Sequence, residues 1–150
     1  MWKLPIVTAI GMLSISLATA QESVIGYVKT AQPDAFLSVG GKEVIAEPGT
    51  PVHRGSLLRT GKQGSLGIMF QDNTRISIGP ETEVTIDDYL YAPAKGELKL
   101  GASITKGTLH YVSGVIAKLR PEAVSVKTPT GTIGVRGTRF VTKVEPEDAR

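Results

Sequence analysis

No cysteine occurs among the 150 residues of the chain. That absence excludes a disulfide framework, a thiolate metal site, a thiol nucleophile and a lipid-anchor cysteine together. Aromatic residues are scarce, at 5%, so aromatic stacking platforms for nucleic acid are not expected. A strong excess of one charge is also lacking, since 17 Lys and Arg stand against 14 Asp and Glu for a formal net charge of +3. That balance gives no strong electrostatic prediction, although Ile116 to Lys143 holds six cations against Glu122 alone and could form a basic patch near the C-terminal strands. Without a groove-reading helix or stacking aromatics that stretch does not point to nucleic acid. What the chain does have is 17 Gly and 9 Pro, a composition that favours turns and short strands in one domain over long helices.

The N-terminus reads as a signal peptide over 1–20. Met1 to Lys3 is a short positive region, Leu4 to Leu17 is apolar, and Ala18-Thr19-Ala20 supplies small residues for cleavage before Gln21. The apolar stretch falls short of the roughly 20 residues a membrane-spanning helix needs, and no later stretch is apolar for long enough. The expectation is a periplasmic or secreted protein with a domain over 21–145 and a frayed tail over 146–150.

From Val24 onward the dominant period is two, broken by turn residues every eight to twelve positions, the pattern of short antiparallel strands. Val24 to Thr30, Ala35 to Val39 and Lys42 to Ala46 read as strands, the last two joined by Gly40-Gly41, and Glu47 to Pro51 reads as a turn. Ser56 to Thr60, Ser65 to Phe70, Thr74 to Ile78 and Glu83 to Asp87 follow, separated by Gly61 to Gly64, Gln71-Asp72-Asn73 and Gly79-Pro80. Asp72 and Asn73 suit a turn because their side chains bond nearby backbone. Thr74, Arg75, Ser77, Glu83 and Thr85 are assigned to solvent or strand edges. Tyr89 to Pro93 is less regular, and Ala94 to Gly96 is a turn. Glu97 to Leu100 and Ser103 to Val112 read as strands about Gly101 and Gly107. Val115 to Leu119 fits either a strand or one helical turn. The chain then closes with Ala123 to Thr128, a turn at Pro129, Thr132 to Val135 and Thr138 to Glu145. The fold class is all-β: an antiparallel sandwich, a roll or a short solenoid of roughly ten to twelve strands.

The search for chemistry finds little. His53 and His110 have no metal-ligand pattern around them, Asp87-Asp88 reads as a solvated strand end, and no G-x-S-x-G elbow occurs. No enzyme and no cofactor are expected. Gly131, Gly134 and Gly137 lack the strand-to-helix setting of a phosphate loop, so their spacing is assigned to bending or close strand packing. Arg136 reads first as a structural fork bonding carbonyls or a carboxylate, with partner or anion recognition as the alternative. On the fork reading, Arg136→Lys destabilises the fold.

Val124 to Val144 runs V-S-V-K-T-P-T-G-T-I-G-V-R-G-T-R-F-V-T-K-V. It resembles the C-terminal signature of the FecR domain, where a strand ends in T-P and V-R-G-T leads into a last strand. Ile68 to Asp87, with F-Q-D-N-T-R-I-S-I-G-P-E-T-E-V-T-I-D, resembles that family's strand, D-G-T turn, strand, G-P-x-[ST] turn and strand, with Asn73 in place of Gly. Gly107 to Leu119 resembles the segment between them. The resemblance covers roughly Arg59 to Val144 and implies an all-β domain outside the membrane that receives a signal from a transporter. The family's sigma-factor-binding region and membrane helix are not recognised here, so the anti-sigma role is not carried over. The expected function is an extracytoplasmic, non-catalytic interaction or signalling module for an envelope or outer-membrane protein. Lys127, Arg136 and Arg139 are the candidate recognition residues. An envelope glycan or anion binder using the same three, and a self-assembling structural protein, are the alternatives.

Overall fold

The computed structural model describes residues 23–146. The leader over 1–20 and the tail beyond Pro146 lie outside the described residues. Twelve strands follow in order: β1 (Val24–Gln32), β2 (Ala35–Val39), β3 (Lys42–Ile45), β4 (Pro51–His53), β5 (Leu57–Thr60), β6 (Ser65–Phe70), β7 (Arg75–Ile78), β8 (Glu83–Ala92), β9 (Glu97–Val112), β10 (Val124–Thr128), β11 (Gly131–Gly134) and β12 (Arg139–Val144). One short helix, α1 (Val115–Leu119), follows β9. The all-β expectation holds.

The sheet is curled, and β9 holds its two halves together. The first part of β9 pairs with β8 on one side and β10 on the other, in a sheet that continues through β5, β2 and β3. From Gly107 onward it pairs with β7 and β12, in a sheet that continues through β6, β1 and β4. The change of sheet falls at Gly107, whose φ of 97 only glycine adopts readily, and a Cβ there would lie 2.1 Å from the Thr82 hydroxyl and 2.5 Å from its Cα.

Alternation along each strand builds the core. Residues directly opposite on neighbouring strands share a face, so Ile68, Ile76, Tyr111 and Phe140 form one inward row across β6, β7, β9 and β12. Leu37, Leu58, Val84 and Ile104 form another across β2, β5, β8 and β9. All but the half-buried Phe140 are buried. Phe70 stacks on Tyr89 with ring centroids 5.2 Å apart, joining the inner faces of the two sheets.

Several expectations are corrected. The eighth strand does not stop at Asp87 but continues to Ala92, and Glu97–Val112 is one strand. Long pairing tolerates both because a bulge at Asp87 restores inward alternation for Tyr89. Asp87 and Asp88 therefore lie mid-strand: Asp87 accepts from the Ser103 hydroxyl, and Asp88 pairs with Lys99 at 3.2 Å. Pro51 begins an edge strand. Thr74 is buried rather than solvated. The β10 strand is parallel to β9, a crossover through α1, so the sheet is not wholly antiparallel. Close packing does not explain Gly131 and Gly134, since a Cβ at either meets nothing within 4 Å; Gly137 alone of the three has a positive φ, at 97.

Gly107→Ala should lower unfolding free energy by at least about 2 kcal/mol, combining left-handed strain with the clash on Thr82. Gly134→Ala should change it by less than about 0.5 kcal/mol. Urea denaturation of the two variants beside the parent checks both.

Candidate functional site

The turn between β6 and β7 is built on a buried carboxylate. Asp72 is fully buried, and its Oδ1 accepts from the Tyr89 hydroxyl at 2.9 Å and the Thr74 amide at 3.3 Å. Its Oδ2 accepts from the Thr74 hydroxyl at 2.6 Å and the Ile116 amide at 3.0 Å. The Asp72 amide donates to the Tyr89 oxygen at 3.0 Å, and its carbonyl accepts from the Val115 amide at 2.8 Å. One residue thereby joins the β6–β7 turn, β8 and α1. Asn73 adopts φ 67, the conformation expected where the family has Gly.

This explains why Val115–Leu119 is a helix despite its β-branched start. Two of its first-turn amides, which a helix cannot satisfy internally, bond Asp72 instead. Gly114 permits the approach: a Cβ there would lie 2.3 Å from the Thr74 nitrogen and 2.4 Å from the Asp72 carbonyl oxygen. Ile116 and Ala117 are then buried. Asp72 does more than the local turn role expected of it, and Tyr89, Thr74 and Gly114 are partners that sequence reading missed.

A second polar knot explains Gly79 and Pro80. The Thr60 hydroxyl donates to the Gly79 carbonyl at 2.6 Å and accepts from the Thr82 amide at 3.0 Å. The Thr82 hydroxyl donates to the Pro80 carbonyl at 3.0 Å and accepts from the Thr108 amide at 3.0 Å. Both motif turns of Phe70 to Asp87 are thus consumed by the fold, and Asp72 has no exposed atom with which to meet a substrate.

The C-terminal signature behaves differently. Val135 is buried and anchors the loop between β11 and β12. On its other side the Gly137 carbonyl accepts from the Ser113 hydroxyl at 2.8 Å, and the Thr138 carbonyl from the Ser113 amide at 2.9 Å. Between these anchors Arg136 is exposed and makes no hydrogen bond or ion pair among the described residues. The structural-fork expectation is therefore corrected, and with it the ground for expecting Arg136→Lys to destabilise the fold. Arg136 instead lines an open cleft of about 810 Å³ with Pro121, Glu122, Ser125, Gly134 and Gly137. The β10–β11 hairpin turns at Pro129, and β11 pairs only with β10, leaving its outer edge open.

The three candidate recognition residues do not assemble. Lys127 on β10 lies opposite Ser103, whereas Arg139 on β12 lies opposite Val112, in the other sheet. All three are exposed, but only Arg136 reaches the cleft.

A family model described as FecR protein matches residues 56–150. The chain belongs to the FecR protein family. Membership makes this FecR chain a signalling or regulatory protein. No curated protein and no solved structure matches it. Among the described residues no helix is long and apolar enough to cross a membrane.

Asp72→Asn should destabilise the protein by at least about 3 kcal/mol. Each carboxylate oxygen accepts from a backbone amide, so either placement of the Asn amide sets its NH₂ against an N–H donor. Chemical denaturation reads the loss. Burial pushes the Tyr89 hydroxyl above its ordinary 10.0, with Asp72 adding to the effect, and burial also raises Tyr111. The folded state holds both protons more tightly, so this stability is complete below pH 10 and lost as pH rises beyond it. Melting temperature should fall above about pH 10, and less steeply in Tyr111→Phe.

Proposed function

We propose that this FecR protein is a non-catalytic recognition module acting outside the cytoplasm, and that it contacts an envelope protein through the open edge of β11 and the Arg136 loop. One observation carries the reading. Of the motif segments, those around Asp72 and Thr82 are used up in internal hydrogen bonds, whereas Arg136 is held between two anchors and spends its guanidinium on nothing internal. A guanidinium displayed by a pinned loop loses little entropy on engaging a carboxylate or carbonyl partner, and its fork suits either.

The neighbouring strand supports the same reading. An edge strand offers outward peptide groups for pairing, and side chains normally guard it. Gly131 and Gly134 leave the β11 edge bare, although neither position needs glycine for its own packing or conformation. A partner strand laid along β11 would bring its flank to the cleft between Glu122 and Arg136. The leader read over 1–20 supports a partner in the envelope.

Crosslinked pull-down from native envelope extract, with identification by mass spectrometry, tests the proposal. One protein should be recovered reproducibly by the tagged chain and at least tenfold less by folded Gly134→Lys/Arg136→Ala. It should be retained by Arg75→Gln/Arg139→Gln. Equal recovery by the first variant, or recovery of only the bait's own copies, overturns it.

A further inference from the structure

Charge is divided unevenly between the two sheets. In the sheet of β2, β3, β5, β8, β10, β11 and the first part of β9, the cations Lys42, Arg59, Lys99, Lys106 and Lys127 stand among five acids. Three of them are ion-paired: Arg59 with Glu43, Lys99 with Asp88, and Lys106 with Glu83. The strands of the other sheet, β1, β4, β6, β7, β12 and residues 107–112 of β9, contain no Asp or Glu at all. They carry Lys29, Arg75, Arg139 and Lys143, all exposed.

Strand register places three of these cations, Arg75, Arg139 and Lys143, on one face. Arg75 on β7 and Arg139 on β12 both lie opposite Val112 of β9, so the three share the outward face. The arginines are then separated by two strand spacings, about 10 Å, and neither has an ion pair or hydrogen bond among the described residues. The same row continues through Met69 to Tyr27, which is 49% exposed. The next row holds Ser77, His110 and Val141, the last 61% exposed, and the one after it Thr108 and Lys143. Of the four, Lys143 alone forms an ion pair among the described residues, with Glu145 at 3.7 Å, just beyond the strand.

We propose that this face docks on an anionic lipid surface. Charge complementarity asks for an anion, and the layout favours a plane. The cations placed by register are spread over β7 and along β12, two strands away, rather than along one line, as an extended acidic polymer would want. Apolar side chains are interleaved with them rather than gathered at a centre inside a polar rim, the usual anatomy of a protein interface. Exposed Tyr27 and Val141 beside arginines are suited to entering the headgroup layer while the guanidinium groups meet phosphates. This surface shares no residue with the β11 edge, so the proposal stands or falls apart from the reading of that edge.

Co-sedimentation of the purified protein with vesicles of equal parts phosphatidylglycerol and phosphatidylcholine tests it, with pure phosphatidylcholine vesicles beside them. Binding should require phosphatidylglycerol and weaken with salt. Arg75→Gln/Arg139→Gln should lower it roughly 30-fold, whereas Lys42→Gln/Lys127→Gln, which removes the same charge from the other sheet, should change it less than about threefold. Tyr27→Ser/Val141→Thr, which leaves charge intact, should also weaken binding. No binding, equal loss in the Lys42/Lys127 variant, or binding to soluble polyglutamate but not to vesicles overturns the proposal.

Discussion

A single buried carboxylate is the constraint on which the two halves of this molecule depend. Asp72 sits where the turn after β6, the far end of β8 and the start of α1 meet, and it satisfies donors from all three. An ionised group in a protein interior is costly unless fully hydrogen-bonded, and here both oxygens and the backbone groups of the same residue are engaged. The consequence is directional: removing Asp72 strands donors in three elements at once, whereas removing an apolar neighbour leaves only a void. Tyr89 is placed to reach it because the bulge at Asp87 resets the face of β8. An irregularity in one strand thus positions the hydroxyl that closes the core of the other sheet.

The crossover after β9 follows from the same knot. A five-residue helix has too few internal bonds to stand alone, yet α1 is what turns the chain back so that β10 runs parallel to β9. With its first amides held by Asp72 and Ile116 buried, the helix becomes a fixed corner. Ser113, just before that corner, then holds the Gly137 and Thr138 carbonyls. The displayed Arg136 loop is therefore two short steps from the Asp72 knot, which gives a physical reason for finding these segments together in one chain.

Much of this architecture was legible in alternation and turn chemistry. Strands β2, β3, β5, β6 and β7 fall within a residue or so of the expected bounds because Gly-Gly, Asp-Asn and Gly-Pro punctuate them clearly. The extension of β8 past Asp87 was hidden because a bulge breaks period two, so Asp87-Asp88 imitates a strand end. The parallel placement of β10 was invisible for a different reason: local pattern does not encode which strand a segment will pair with. At the site, Asp72-Asn73 and Gly79-Pro80 are legible as turn formers, whereas Thr74 looks like a solvated strand residue and is buried. Their long-range partners, Tyr89 at 17 positions from Asp72 and Ile116 at 44, leave no local signal. For Arg136 the sequence leaves brace and display both open, since a Gly-flanked arginine looks alike whether it braces a loop or is displayed by one.

The division of charge is legible only in part, because it is a property of sheets and not of segments. Along the chain, the succession Lys127, Arg136, Arg139 and Lys143 marks the C-terminal strands as basic, but not which sheet each of them joins. Only the pairing of β12 beside β9 and of β9 beside β7 sets Arg139 and Arg75 about a common valine. A stable fold had no need of that arrangement: unpaired cations on one face repel weakly through water, and the opposite sheet shows that the chain can supply acids where they neutralise. In the paired sheet three of five cations meet an acid, whereas on the acid-free strands Lys143 alone does, and that acid lies beyond the strand. That asymmetry points outward from the acid-free face, toward an anionic surface that would complete it.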